Sequence, residues 1–145
     1  MYIGLLHLHD VLRWLILIVA LAVVLKYFAG WIRGGRWSKS DSILGATFTG
    51  LIDLQFLTGL ILYFFVSPVT KTAFRDFGAA MQHAELRFYA VEHSLVMLIA
   101  VTLIHIGWAR SKKAVRDRLK FGRALLFFGI ALVLILAMIP WSRTI

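Results

Sequence analysis

An all-α, integral membrane four-helix bundle is the fold that the sequence predicts, and three observations carry it. The 145 residues are 61% hydrophobic and only 16% charged, whereas a soluble domain is about 45–50% apolar and about 25% charged. Mean hydropathy is +0.84. Four stretches each hold the ~20 mostly apolar residues that a membrane-crossing helix needs, and basic residues gather between them. This composition excludes a soluble globular domain and a disordered chain.

The first span is read over residues 3–28; its centre, residues 14–25, is twelve apolar residues without a break. The second covers 41–66 and is stopped by Pro68. The third covers 84–109, and the fourth 123–139, stopped by Pro140. Residues 1–145 therefore form a single membrane domain. No Lys or Arg precedes the first apolar stretch and no small-residue cleavage site follows it, so that helix is expected to be retained.

Charge placement predicts orientation. Of the 16 Lys and Arg, eleven fall in 26–39 and 110–123. The other ends hold Lys71, Arg75, Arg87 and Arg143. The positive-inside rule then puts both termini outside and the basic loops in the cytoplasm of a bacterial inner membrane. The net charge of +9 is topological in this reading, and no nucleic-acid partner is expected. Trp31, Trp37, Trp108 and Trp141 fall near helix ends, where an aromatic belt would lie. Within 67–83, the mixed stretch 69–81 suggests a short interfacial helix.

There is no cysteine, which excludes disulfides, Cys-ligated iron–sulfur clusters, zinc–cysteine sites and a thiol nucleophile. No Gly-rich phosphate loop or Ser-His-Asp set is present, so nothing points to hydrolysis. Function is sought among the ionisable residues inside spans, which are expensive there. These are His7, His9, Asp10, Arg13, Asp53, Glu85, Arg87, Glu92, His93 and His105. The fourth span has none after Arg123 and is read as scaffold.

At ~1.5 Å per residue, His9 lies about 9 Å into the first helix and His93 about 13 Å into the third. Both fall in the outer leaflet. Two facing imidazoles could ligate one metal centre, and an apolar slot between them would suit a haem. His7 sits about 200° from His9 around the helix, whereas Arg13, four residues on, shares the face of His9. His9 is therefore the residue expected to point inward. His93 and His105 are about 120° apart in phase and about 18 Å apart in depth. With no partner histidine at the level of His105, one haem is expected rather than two. His105 is read as hydrogen-bonded or interfacial, and His83 as solvated.

Gly45, Thr49, Ile52, Phe56, Gly59 and Tyr63 form one face of the second helix, small enough for close packing or for a flat macrocycle. Gly59 falls near the level of His9 and His93. Asp53 and Glu92 are candidates for a buried polar network. Glu92 could pair with Arg13, and Asp53 could be protonated, pair with Arg13 or belong to a proton path.

Leu8-His9-Asp10-Val11-Leu12-Arg13-Trp14, opening the first helix, and Glu92-His93 with the apolar run to Ile104-His105-Ile106 carry a resemblance. They resemble small four-helix membrane cytochromes b, of the b-561 and copper-resistance-D type. The layout covers most of the chain, though the motifs are short. The resemblance implies haem b with His9 and His93 as axial ligands, Arg13 near a propionate, and electron exchange with quinone or a redox partner protein. In that family paired histidines on one helix both face the core; here His93 and His105 do not, and the second and fourth helices have no histidine. Two other classes remain open. One is a haem-free structural or assembly subunit of a larger complex or oligomer. The other is a metal or proton conductor using His9, Asp53, Glu92 and His93.

Overall fold

The computed structural model describes residues 1–143; the Arg143 side chain and residues 144–145 lie outside the described residues. No strand occurs among the described residues. Four helices are long and apolar enough to cross a membrane: α1 (Tyr2–Arg33), α2 (Lys39–Val66), α5 (Ala84–Lys113) and α6 (Asp117–Met138). Between α2 and α5 lie two short helices, α3 (Pro68–Arg75) and α4 (Phe77–Ala80). The long helices alternate in direction, and α1 packs on α2, α2 on α5, α5 on α6 and α6 on α1, closing a four-helix bundle.

The basic segments are less loop-like than the sequence suggests. α1 continues past residue 28 to Arg33 and ends at Gly34, whose φ of 65° is the left-handed cap that glycine adopts without a Cβ penalty. The link to α2 is residues 34–38, and the link from α5 to α6 is 114–116. Most of the basic residues therefore extend helices. Lys and Arg are good helix formers, and cations near a C-terminus complement the dipole, as Arg33, Arg110, Lys112 and Lys113 do. α2 opens with a capping box in which Ser38 and Asp41 bond each other's backbone.

The basic end is tightly locked. Tyr27, Phe48, Trp108, Phe121 and Phe128 are buried, with Trp37 among them. Ring centroids of Tyr27–Trp37, Trp37–Phe121 and Phe48–Phe128 are 4.9–5.0 Å apart, within the favourable range for aromatic pairs. Trp37 and Trp108 thus belong to this packing rather than to an interfacial belt; Trp31 and Trp141 are exposed. Tyr27 donates its hydroxyl to the Asp41 carbonyl at 2.6 Å, and Lys26 pairs with the Asp41 carboxylate at 2.8 Å. Gly45 permits this closeness, because a Cβ there would overlap both the Trp108 ring and the Tyr27 hydroxyl.

Outward faces are large and apolar: Val11, Ile18, Leu21 and Leu25 on α1, and Leu126, Ile130 and Val133 on α6. Contiguous exposure of this kind suits a bilayer and is rare in water.

At the end carrying the termini the packing loosens. α2 finishes in a π-helical turn, Leu62–Val66, and α5 contains another, Phe88–Glu92. Such turns misalign the backbone ladder and are frequent at functional sites. Here the released carbonyls are taken up by hydroxyls. Thr70 donates to the Tyr63 carbonyl at 2.7 Å, and Tyr63 donates to the Ala90 carbonyl at 2.6 Å. The expected short helix within 69–81 is two helices, α3 and α4, seated through Ala73 and Ala80 on Ala90 of α5.

Candidate cofactor site between α1, α2 and α5

The loosened end encloses a cavity of about 550 Å³, within the ~300–1,000 Å³ typical of small-molecule sites. His9 and Arg13 of α1, Gln55, Gly59 and Tyr63 of α2, and His93 of α5 line it. Ile135 and Ile139 close one side. Phe64, Leu95 and Leu98 also line it while being exposed on the bundle surface, so the cavity opens sideways between α2 and α5.

His9 faces inward and His7 is exposed, as their helical phase requires. The Nδ1 of His9 lies 3.3 Å from the Thr58 hydroxyl. That hydroxyl spends its own proton on the Gln55 carbonyl at 2.8 Å, so its oxygen accepts and His9 Nδ1–H donates. The tautomer assigned by these partners leaves His9 Nε2 as a free lone pair. Gln55 also reaches across, donating its amide to the His9 carbonyl at 2.8 Å and pinning α1 to α2. Gly59 sits under the ring: a Cβ there would lie 3.3 Å from His9 Cε1, tighter than ordinary contact.

His93 follows the π turn of α5. Its Nδ1 lies 2.8 Å from the Met138 carbonyl and donates to it, leaving Nε2 without a partner. Met138 ends α6, where carbonyls have no helical donor. The rings of Phe88 and Tyr89 flank the imidazole at 5.7 and 6.4 Å. Both histidines therefore carry the outer hydrogen bond that orients a ligating imidazole. Both line one cavity.

Arg13 does not pair with Glu92. Its side chain is 10% exposed and bonds Asp10, one turn back, at 3.1 Å. Its Nε–H is buried without a partner, and so is Gln55 Oε1. Both residues line the cavity, which thus presents one unsatisfied donor and one unsatisfied acceptor. Such groups are costly unless something in the cavity meets them.

Glu92 instead pairs with Arg87 at 2.7 Å and is 40% exposed. Arg87 also donates to the Met81 carbonyl, fastening the α4–α5 connection to the rim. Glu92 does not line the cavity: neighbouring helical residues point about 100° apart, and the π turn brings Glu92 onto the face of Arg87, five residues back. Asp53 is likewise outside it: it bonds His105 at 2.5 Å on the outer surface of α2 and α5. The sequence candidates thus divide into three groups: His9, Arg13, Gly59 and His93 at the cavity, Glu92 at the rim, and Asp53 on the flank. Gly45, Thr49 and Ile52 of the small-residue face are buried.

No protein family, curated protein or solved structure matches the chain.

The residues that sequence reasoning missed are Thr58, Gln55 and the Met138 carbonyl. Gln55 lies one turn and Thr58 one residue short of Gly59, and both are neutral, so the high cost of charge inside a span does not single them out. Pro140 was the signal for Met138, because it ends α6 and leaves nearby carbonyls open.

Among the described residues, no group of three or more His, Asp or Glu side chains could hold a metal ion. The cavity offers two imidazole nitrogens. A metal there would take its remaining ligands from a non-protein group.

Proposed function

We propose that the chain is a multi-pass membrane protein that holds one haem b through His9 and His93 and passes single electrons near the outer leaflet. The observation that carries this reading is the matched pair of imidazoles, each with Nδ1–H spent on the protein and Nε2 free at one apolar cavity. When bound, haem b supplies a one-electron iron couple. The protein's part is to orient the imidazoles, exclude water and balance charge. Thr58 and the Met138 carbonyl fix the two rings. Gly59 leaves room for the His9 ring to stand against α2. Arg13, with its free Nε–H, is placed to meet an anionic edge group. The sideways opening between α2 and α5 suits exchange with a membrane-soluble quinone. The positive-inside rule puts the cavity end outside and the basic ends in the cytoplasm of a bacterial inner membrane.

The test is a visible spectrum of the detergent-purified protein, oxidised and dithionite-reduced, with a pyridine haemochrome assay. About one haem b per chain is expected, lost in His9→Ala and His93→Ala. A colourless protein after expression with haem supplied, or an unchanged bis-histidine spectrum in His93→Ala, overturns the assignment.

A further inference from the structure

Asp53 and His105 stand where a membrane protein rarely leaves polar groups. Asp53 is 53% exposed and His105 47%. Asp53 is fourteen residues from the start of α2 at Lys39, hence about 21 Å along it and near mid-span. His105 is eight residues from the end of α5 at Lys113, about 12 Å in. Ionisable side chains at such depth face protein or a polar cavity, because lipid cannot solvate them. The inferred cofactor cavity is not their partner, since neither residue lines it.

Beside Leu54, Leu57, Leu98 and Ile106, which are exposed as on the other helices, the surface around the pair also carries small and polar residues. On α2, Ala46, Gly50 and Asp53 are exposed in one stripe. On α5, Thr102, His105 and Ala109 are exposed in another. The space beside Gly50 is empty to 4 Å. The outward faces of α1 and α6 carry Ile18, Leu21, Ile130 and Val133 instead. Large apolar side chains suit lipid, whereas small residues beside polar ones suit another helix, whose backbone can approach and whose hydrogen bonds can be met.

We infer that this small, polar strip on α2 and α5 is a two-fold interface with a second copy of the same chain. Charge complementarity selects that occupant. The bond between the pair uses His105 Nε2 and Asp53 Oδ1. His105 Nδ1 and Asp53 Oδ2 remain without a described partner. One chain thus shows one open imidazole nitrogen and one open carboxylate oxygen at a single depth. A two-fold axis along the membrane normal keeps that depth and sets each open group opposite its complement. In its imidazolium form His105 donates from both ring nitrogens, so carboxylate and imidazolium then alternate around a closed ring of four side chains with no net charge. The inference depends on membrane insertion and is independent of haem.

The chain has no cysteine, so single cysteines report the contact directly. Gly50→Cys, with Ile18→Cys and Val133→Cys as outward-facing controls, is oxidised in proteoliposomes at a low protein-to-lipid ratio and in native membranes. A disulfide-linked species of twice the chain mass is expected from Gly50→Cys, and at least tenfold less from the controls. Asp53→Asn and His105→Gln, each added to Gly50→Cys, are expected to lower that yield at least fivefold with helix content unchanged. Equal yield from all three cysteines, no linked species, or linkage in native membranes only to a protein of different mass overturns the inference. So does undiminished linkage in both polar variants. Haem content read on the same preparations separates this result from the haem assignment.

Discussion

The Tyr63 hydroxyl bonds the Ala90 carbonyl at 2.6 Å, joining the π turn of α2 to the π turn of α5. The same carbonyl accepts from Ser94 at 3.0 Å. One hydrogen bond thereby couples the two helices just where both depart from α geometry, and three residues before His93. Tyr63→Phe keeps the ring and removes the bond. It should lower stability by about 1 kcal/mol, read as an earlier thermal transition in detergent. Because Ser94 still serves the carbonyl, a loss several times larger would mean that the hydroxyl holds the π turn itself.

Thr58 acts on His9 at one remove. Thr58→Val preserves shape but offers His9 Nδ1 no acceptor. Outer hydrogen bonds of this kind change metal affinity by about 10–100-fold. On the proposed haem assignment the expected outcome is haem that dissociates at least tenfold faster to an apo-globin acceptor, with Thr58→Ser restoring the wild-type rate. Identical rates in Thr58→Val and wild type would remove the hydroxyl from ligand orientation.

Gly45 and Gly129 make a matched comparison. A methyl at Gly45 meets Trp108 and Tyr27, whereas one at Gly129 meets nothing within 4 Å. Gly45→Ala should cost about 1–3 kcal/mol through overpacking. Gly129→Ala should be neutral or stabilising by up to about 1 kcal/mol through helix propensity. Denaturant titration of both variants checks the sign of each.

Asp41 has two tasks, the α2 cap and the partner of Lys26. Asp41→Ala leaves the Ser38 cap on the backbone N–H of residue 41 but removes the acceptor for the Ser38 N–H and the ion pair, and should cost about 1–2 kcal/mol, mostly the lost hydrogen bonds. Asp41→Asn keeps a capping oxygen and loses only the ion pair, in which Lys26 is 42% exposed. It should cost less than half as much in a thermal melt.

The spans were legible because length and hydropathy leave few alternatives. Pro68 and Pro140 marked ends correctly, since a missing N–H stops a helix whatever surrounds it. The direction of His9 was legible too, from its phase against His7 and Arg13. Pairing was not. Arg13 took the nearer Asp10 on its own helix, and Glu92 took Arg87, because the π turn shifts phase by one residue. No periodicity in Phe88-Tyr89-Ala90-Val91-Glu92 announces that shift. Asp53 and His105 lie 52 residues apart, and only the packing of α2 on α5 reveals that they meet. Trp37 and Trp108 were misplaced for a related reason: aromatic residues at helix ends serve a belt or a core, and Gly45 on a different helix decides which.

The two ends of the bundle differ in how early they can be completed. The basic end closes with protein atoms alone, through Tyr27, Trp37, Asp41, Trp108 and Phe121. The other end holds a cavity with an unmet donor and an unmet acceptor. The basic end can therefore form before anything enters the cavity, and on the proposed haem reading loading is a late step that need not keep pace with synthesis.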